Sequence, residues 1–207
     1  MSYFSAKELE QLGFKSLGSD VSISTKASLY GVSRISIGSH VRIDDFCILS
    51  AGEGGIHIGS FVHIACYCSL IGKERIQLED FAGLSSRVSI YTSSDDYSGA
   101  AMTNPMVPSE YTAVQHGPVT LQKHAIVGAG TVILPGVCLG EGSAVGALSL
   151  VAKDCQPFTI YSGVPARRVS ERKRDLLELE KRLLAKLGFP PASHGSSPTA
   201  PLEDSRT

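Results

Sequence analysis

Residues 121–155 read LQKHAI VGAGTV ILPGVC LGEGSA VGALSL VAKDC when they are written in groups of six. The first position of every group is aliphatic, and the fifth is small or short. A strand alternates with a period of two and a helix with a period of about 3.6, so neither keeps this spacing in phase. The pattern therefore predicts a coil with flat faces, whose interior is filled by Leu121, Val127, Ile133, Leu139, Val145 and Val151.

The same register recurs upstream, in groups that short insertions separate. Three groups of six make one turn of about 18 residues, so each upstream triplet forms one turn. Successive turns would stack as parallel strands that bury the aliphatic positions in a shared interior, which predicts an all-β fold. The predicted inward triplets are Ile23, Leu29 and Ile35; Ile37, Ile43 and Leu49; Ile58, Ile64 and Leu70; and Leu78, Leu84 and Ile90.

Five short stretches give the chain a specific resemblance. They are Ile58-Gly59, Val127-Gly128-Ala129-Gly130, Leu134-Pro135-Gly136-Val137, Leu139-Gly140-Glu141-Gly142 and Gly163-Val164-Pro165-Ala166-Arg167. With the repeat, they resemble the hexapeptide-repeat acyltransferase superfamily, and within it the bacterial sugar acetyltransferases of the galactoside and maltose acetyltransferase type and of polysaccharide biosynthesis. Parallel crossovers are generally right-handed. This family forms left-handed parallel β-helices, so the resemblance predicts a left-handed coil.

The composition fits a compact cytoplasmic enzyme subunit. A net charge of -1 gives no reason to expect a nucleic acid as partner. No apolar run approaches the roughly 20 residues that span a bilayer, and the start lacks a basic segment followed by a hydrophobic one. Three of the cysteines, Cys47, Cys68 and Cys155, fall at inward positions of the repeat, where a thiol acts as a small apolar filler.

The ends of the chain differ from the repeat. Ser5 and Glu8 have the spacing of a capping box, so residues 1–17 are predicted to form a helical cap on the coil. The β-helix domain is expected over 18–168 and a C-terminal helix over 169–187, where leucines line one helical face. Residues 188–207 are rich in Pro, Ser, Ala and Gly and are predicted to be a disordered tail.

One long excursion, at about 92–117, interrupts the repeat. Between Ile90 and Leu121 the repeat requires six residues, and about 25 more are present. The family places its catalytic histidine just after a strand, in a segment resembling Ile-Tyr-Thr-x-x-His-Pro. This chain has Asp95 at the histidine position.

Because the histidine is replaced by Asp95, two other assignments of the general base are considered. His116, at the far end of the excursion, is favoured as the general base, with Asp95 or Asp96 orienting its imidazole. Alternatively, Asp95 itself serves as the base, which would suit an amino-sugar substrate better than a hydroxyl. A purely structural role also stays open, in which the acidic pair caps a turn and His116 is an exposed loop residue.

The resemblance also implies where acetyl-CoA and the acceptor bind. Small residues let the pantetheine arm approach the backbone, and cations meet the nucleotide phosphates. The implied cofactor-binding residues are Ala129, Ala147, Ala152, Lys153, Arg167 and Arg168. The predicted substrate-binding residues are Tyr97, Asn104 and His124.

The favoured function is an acetyl-CoA-dependent sugar O-acetyltransferase, in the synthesis of a surface polysaccharide such as O-antigen or capsule. It is expected to be a homotrimer with sites between subunits, without a metal. The alternative is N-acetylation of a nucleotide-linked amino sugar. More distant alternatives are a non-catalytic trimeric scaffold and a zinc carbonic anhydrase, for which the histidines at 57, 63, 116 and 124 lack the usual paired spacing.

Overall fold

The computed structural model describes residues 2–188 of the 207-residue chain. Within it the chain divides into two units, with the boundary between Arg172 and Lys173. The first unit contains the β-coil and the second contains a helix. Of the predicted tail, residues 189–207 lie outside the described residues.

Three sheets, here called faces 1, 2 and 3, form the first unit. Face 1 consists of Ser16–Leu17, Ile35–Ile37, Ile56–Ile58, Ile76–Leu78, Val119–Leu121 and Cys138–Leu139. Face 2 consists of Val21–Ile23, Val41–Ile43, His63–Ile64, Gly83–Leu84, Ile126–Val127, Ala144–Val145, Thr159–Ser162 and Arg167–Glu171. Face 3 consists of Ser28–Tyr30, Ile48–Ala51, Ser69–Gly72, Ser89–Tyr91, Val132–Ile133 and Leu150–Val151. The chain visits the faces in rotation, which confirms the predicted parallel β-helix.

The interior is built from the residues of the six-residue repeat. Within face 1, Ile58 pairs in register with Leu78, and Leu78 pairs with Leu121, so inward side chains stack from turn to turn. Leu121 and Val127 are fully buried. Burying each such side chain contributes about 1.5–3 kcal/mol, and the repeated register adds these contributions along the coil. The predicted period is confirmed by this core.

The corner between faces 1 and 2 carries a column of residues in the left-handed backbone region. His40, Phe61, Phe81 and His124 occupy successive turns there with φ between 57° and 61°. Their rings stack at centroid distances of 4.7, 4.8 and 4.9 Å. A side chain in this region costs roughly 1–2 kcal/mol, and ring stacking of about 0.5–1.5 kcal/mol per pair offsets part of that cost.

The N-terminal end of the coil is covered by α1, Ala6–Gln11. The Ser5 hydroxyl accepts a hydrogen bond from the Glu8 N–H at 3.3 Å, and the Glu8 carboxylate accepts one from the Ser5 N–H at 2.7 Å. This is the capping box that the sequence indicated. Leu9 of α1 is buried in the core of the coil.

The C-terminal end of the coil turns back on itself. The last strand of face 2, Arg167–Glu171, runs antiparallel to Thr159–Ser162 and closes that edge of the sheet. Arg172 then donates hydrogen bonds from Nη1 to the carbonyl oxygens of His124, Gly142 and Ser143. A strand therefore occupies part of the range from 169 onward in which a helix was predicted.

The second unit contains α2, Leu176–Lys186. Glu178 forms ion pairs along this helix with Lys181 at 3.9 Å and Arg182 at 3.5 Å. Exposed pairs of this kind contribute a few tenths of a kcal/mol each, about 0.3–0.5. Between residues 2 and 188, no helix is both long enough and apolar enough to cross a membrane.

Candidate functional site

The excursion leaves and rejoins the coil at a single anchoring point. The buried Thr92 hydroxyl donates a hydrogen bond to the Glu74 carbonyl oxygen and accepts one from the Glu74 N–H, both at 3.1 Å. The Gly117 N–H donates to the Thr92 carbonyl oxygen at 3.0 Å. These bonds hold the entry and exit of the loop side by side, so the residues at its root have defined positions.

The root continues as a two-stranded antiparallel ribbon of Ser93–Ser94 and Gln115–His116. In this ribbon the Ser93 hydroxyl lies 2.9 Å from Nδ1 of His116 and also accepts a hydrogen bond from the Lys73 N–H. The His116 imidazole is exposed. Its hydrogen-bond partner is thus a serine, and the predicted pairing of His116 with Asp95 or Asp96 is not formed in this structure.

Asp96 shapes the loop beyond the ribbon. Its carboxylate accepts hydrogen bonds from the N–H and hydroxyl of Ser98, both at 3.0 Å, and from the Ala101 N–H at 3.1 Å. The Ser98 N–H, the Ser98 hydroxyl and the Ala101 N–H hold the pKa of the Asp96 carboxyl below its ordinary value. This arrangement is the turn-capping role that the sequence left open for the acidic pair.

Asp95 is placed differently from its neighbour. It is half-buried at the end of the ribbon, and its backbone carbonyl accepts a hydrogen bond from the Ser94 hydroxyl at 3.3 Å. Within the described part of the chain, its carboxylate forms neither a hydrogen bond nor an ion pair. The carboxylate is therefore available to a cationic or hydrogen-bonding ligand.

The three predicted substrate-binding residues lie in two different environments. Tyr97 is 93% exposed at the loop surface. Asn104 has a φ of 74°, and its Oδ1 accepts a hydrogen bond from the Met106 N–H at 3.0 Å, so it shapes a turn. His124 lies in the coil itself, stacked on Phe81 in the corner column.

The predicted cofactor residues belong to adjacent turns near the end of the coil. The Leu148 N–H donates to the Ala129 carbonyl oxygen at 2.8 Å, which places Ala129 and Ala147 on neighbouring turns of one corner. The Ala166 N–H donates to the Leu150 carbonyl oxygen at 2.8 Å, which brings the segment of Arg167 and Arg168 beside the strand that leads to Ala152 and Lys153. All six residues are exposed. They leave a surface of small side chains beside cations.

A groove on face 2 was not singled out by the sequence analysis. It is lined by Phe61, His63, Ala65, Phe81, Ala82, Gly83, Leu84, Ser85, Ser86 and Ile126. The sequence signal that could have indicated this groove is Gly83, a glycine at an outward strand position that pairs in register with His63 on one side and Ile126 on the other.

Across residues 2–188, no cluster of three or more His, Cys, Asp or Glu side chains is arranged to hold a metal ion.

No family model matches the chain. A curated dTDP-4-amino-4,6-dideoxy-D-glucose acyltransferase of Escherichia coli is 55% identical over 180 residues, which cover 87% of this chain and 94% of the relative. This chain belongs to the hexapeptide-repeat acyltransferase superfamily. The family resemblance indicated by the repeat and the glycine-containing stretches is thereby confirmed.

Solved structures of other acyltransferases agree with this assignment. A serine-to-alanine variant of AntD, an N-acyltransferase from Bacillus cereus, was solved with dTDP-4-amino-4,6-dideoxyglucose and coenzyme A. It is 48% identical to this chain with a TM-score of 0.87, covering 89% of this chain and 98% of AntD. A maltose O-acetyltransferase from Clostridium difficile, 20% identical with a TM-score of 0.55 over 81% of this chain and 75% of its own, shares the fold.

Proposed function

We propose that this acyltransferase moves an acyl group from acyl-CoA to the 4-amino group of a dTDP-linked 4-amino-4,6-dideoxy sugar. The observation that carries the proposal is the nearly full-length identity of 55% with the Escherichia coli enzyme that is named for this acceptor. AntD, which binds the same nucleotide sugar, is also an N-acyltransferase. The relatives thus support the predicted alternative, N-acylation, better than the favoured O-acetylation of a sugar hydroxyl.

The unpartnered Asp95 carboxylate supports an amine as acceptor. An amino sugar reaches the enzyme largely as an ammonium ion, and a nearby carboxylate favours that ion through charge and hydrogen bonding. A sugar hydroxyl carries no charge and would require a stronger base at this position. Asp95 stands where the family has its catalytic histidine, so this proposal assigns it the binding of the amino group.

The acyl transfer itself needs the amine in its neutral form. The amine nitrogen attacks the thioester carbonyl carbon, the new C–N bond forms, and the C–S bond breaks as the nitrogen loses a proton. The coenzyme leaves as a thiol after it takes up a proton. Because neither carboxylate orients His116 here, the geometry supports a role for His116 in holding the loop root through Ser93.

The cofactor surface at the end of the coil supports acyl-CoA as the donor. The extended pantetheine arm can lie against Ala129, Ala147 and Ala152, where small side chains leave the backbone accessible. Arg167, Arg168 and Lys153 are exposed cations that would meet phosphate groups. AntD has been solved with 3-hydroxybutyryl-CoA as well as with coenzyme A, so acetyl-CoA and 3-hydroxybutyryl-CoA are both candidate donors.

The assembly and setting that we propose are a homotrimer in the cytoplasm, with sites in the clefts between subunits. Closed rotational symmetry is the usual arrangement for homo-oligomers. A trimer would let the Asp95 loop of one subunit approach a cofactor surface of the next. Sedimentation of the intact chain would measure the oligomeric state.

The decisive experiment offers the enzyme two acceptors that differ at one atom. Thiol release from acetyl-CoA and from 3-hydroxybutyryl-CoA would be measured with dTDP-4-amino-4,6-dideoxyglucose and with dTDP-6-deoxyglucose, which has a hydroxyl at the same carbon. We expect turnover with the amine only, and mass spectrometry should locate the acyl group on nitrogen. Turnover of the hydroxyl compound alone would instead support the predicted O-acylation of a sugar hydroxyl.

A further inference from the structure

The groove on face 2 has an open floor at Gly83. This glycine occupies an outward strand position between His63 and Ile126, and a Cβ atom built on it would contact nothing within 4 Å. The space directly above the glycine is therefore open, and it would let a sugar ring approach the sheet.

Apolar and polar groups line this groove on different sides. Phe61 and Phe81 form one wall, with their rings parallel and 4.8 Å apart. On the other side lies Ser85, whose hydroxyl makes no hydrogen bond with the described part of the chain. A 6-deoxy amino sugar combines an apolar methyl edge with groups that form hydrogen bonds, so its chemistry matches this lining.

His63 lines the groove, and its imidazole is paired with the carboxylate of Asp44. Its Nε2 atom lies 2.8 Å from Oδ2 of Asp44, whose side chain is only 7% exposed. The other carboxylate oxygen, Oδ1, accepts a hydrogen bond from Nε of Arg42 at 2.7 Å. The His63 side chain itself is 51% exposed and lines the groove.

Asp44 is ionised in this arrangement. Burial acts to raise its pKa, but the hydrogen bonds and charges of His63 and Arg42 outweigh that effect and keep the pKa below its ordinary value. An ionised carboxylate only accepts hydrogen bonds. The Nε2 atom of His63 must therefore carry the hydrogen, and in the neutral imidazole Nδ1 is left with a lone pair.

We propose that His63 is the proton acceptor for the amino group of the substrate, with Asp44 as its positioning residue. This inference rests on the proposed function. As the sugar nitrogen bonds to the acyl carbon, Nδ1 of His63 takes the proton from nitrogen, and the imidazolium is stabilised by Asp44. The proton then passes to the thiolate that leaves when the C–S bond breaks, so the imidazole is neutral again at the end.

The charged groups that face His63 are Asp44 and Arg42, which lies in register on the preceding strand, and the Tyr3 phenol interacts with Arg42. The following strand presents the uncharged Gly83. The Asp44 carboxylate would stabilise the imidazolium that forms during proton transfer, so replacing this carboxylate should slow that step.

Asp20 provides a control from a second histidine and aspartate pair. Nδ1 of His40 lies 2.7 Å from Oδ2 of Asp20, one turn earlier at the corner of the coil. Neither residue lines the groove of face 2, but His40 stacks on Phe61, a wall of that groove. Asp20→Asn therefore changes this pair and keeps the imidazole next to Phe61.

The test compares His63→Asn, His63→Gln and Asp44→Asn with Asp20→Asn in the intact enzyme. The rate constants would be measured with dTDP-4-amino-4,6-dideoxyglucose and acetyl-CoA. We expect both His63 variants to lower kcat by about 10²-fold or more with little change in KM. Asp44→Asn should also lower kcat with little change in KM, and Asp20→Asn should stay within about threefold of the wild type.

Three other results would contradict the role of His63, the role of Asp44 or the proposed function itself. If the wild type turns over the amine but both His63 variants stay within about threefold in kcat, or raise KM alone, His63 is not the proton acceptor. An unchanged kcat in Asp44→Asn would remove the positioning role of Asp44. If the wild type does not acylate the amine at all, the proposed function fails, and this inference fails with it.

Discussion

Thr92 and Glu74 are joined by two hydrogen bonds, because the threonine hydroxyl both donates to the Glu74 carbonyl oxygen and accepts from the Glu74 N–H at 3.1 Å. The hydroxyl is also packed against Gly72, where an added Cβ would clash with it. The excursion that carries Asp95 thus begins at a buried polar anchor.

Replacing Thr92 with valine should destabilise the protein. Valine keeps the shape but removes the hydroxyl partner of two partly buried backbone groups of Glu74, which costs about 1–3 kcal/mol in the free energy of unfolding. Denaturant unfolding would measure this loss. Thr112→Val is the control, because the Thr112 hydroxyl donates one hydrogen bond of 3.3 Å within the loop, so a change of less than about 0.5 kcal/mol is expected.

Replacing Asp95 with asparagine should weaken recognition of the amine. The neutral amide keeps the size of the side chain but loses its charge, so kcat/KM for the amino sugar should fall by about 10- to 100-fold, the equivalent of a charge-assisted hydrogen bond. Steady-state kinetics would show this, with the KM for acyl-CoA unchanged. Glu110→Gln, in the same excursion, is the control, and equal losses in the two variants would remove the assigned role of Asp95.

His116→Ala distinguishes a base from a residue of the loop root. If His116 only supports the ribbon through Ser93, the variant should lose less than about tenfold in kcat, and Ser93→Ala should lose a similar factor. A loss of about 10²-fold or more in kcat for His116→Ala alone would instead support the prediction that His116 is the general base. Single-turnover kinetics with the amino sugar would separate these outcomes.

Arg167→Ala should reduce the affinity for acyl-CoA. The variant replaces an exposed guanidinium, which we propose meets phosphate groups, with a methyl group, so Kd should rise by roughly 3- to 10-fold, with a weaker dependence on salt. Calorimetric titration with coenzyme A would measure both. Arg182→Ala in α2, where the arginine pairs with Glu178, is the control, and an equal effect there would argue against specific phosphate contact.

The loop around Asp96 should lose order in acid. Its carboxyl has a lowered pKa in the folded protein, so the hydrogen bonds to Ser98 and Ala101 contribute above the unfolded pKa of about 3.9 and are lost as the pH falls through the folded value. Amide hydrogen exchange of Ser98 and Ala101 would follow this loss. Asp96→Asn should abolish the acid transition, and a transition that persists in the variant would assign it to another group.

The repeat predicted most of the fold. The predicted inward residues from Ile23 to Val151 are buried, apart from Leu29, which is partly buried against the core, because a coil with flat faces exposes and buries side chains in a fixed rotation. The capping box of Ser5 and Glu8 was also readable, since both partners lie within one turn of helix. The handedness came from the resemblance, because the spacing alone is the same for both hands.

The candidate site was predicted less well than the fold. Asp95 and His116 were correctly placed in one excursion, yet their orientation depends on which neighbours a loop side chain meets, and here Ser93 meets the imidazole. The pairing of His63 with Asp44 was not predicted, because it joins residues on successive turns of the coil.

By itself, the sequence determined the coil, its inward residues and the position of its one long excursion, since these follow from local periodicity and hydrophobic burial. Only the tertiary structure decided which polar side chains meet. Asp44 and His63 are brought to 2.8 Å by the stacking of two turns, and Gly83 becomes the floor of a groove only because His63 and Ile126 flank it. Such contacts depend on distances between turns, which no spacing along the chain specifies.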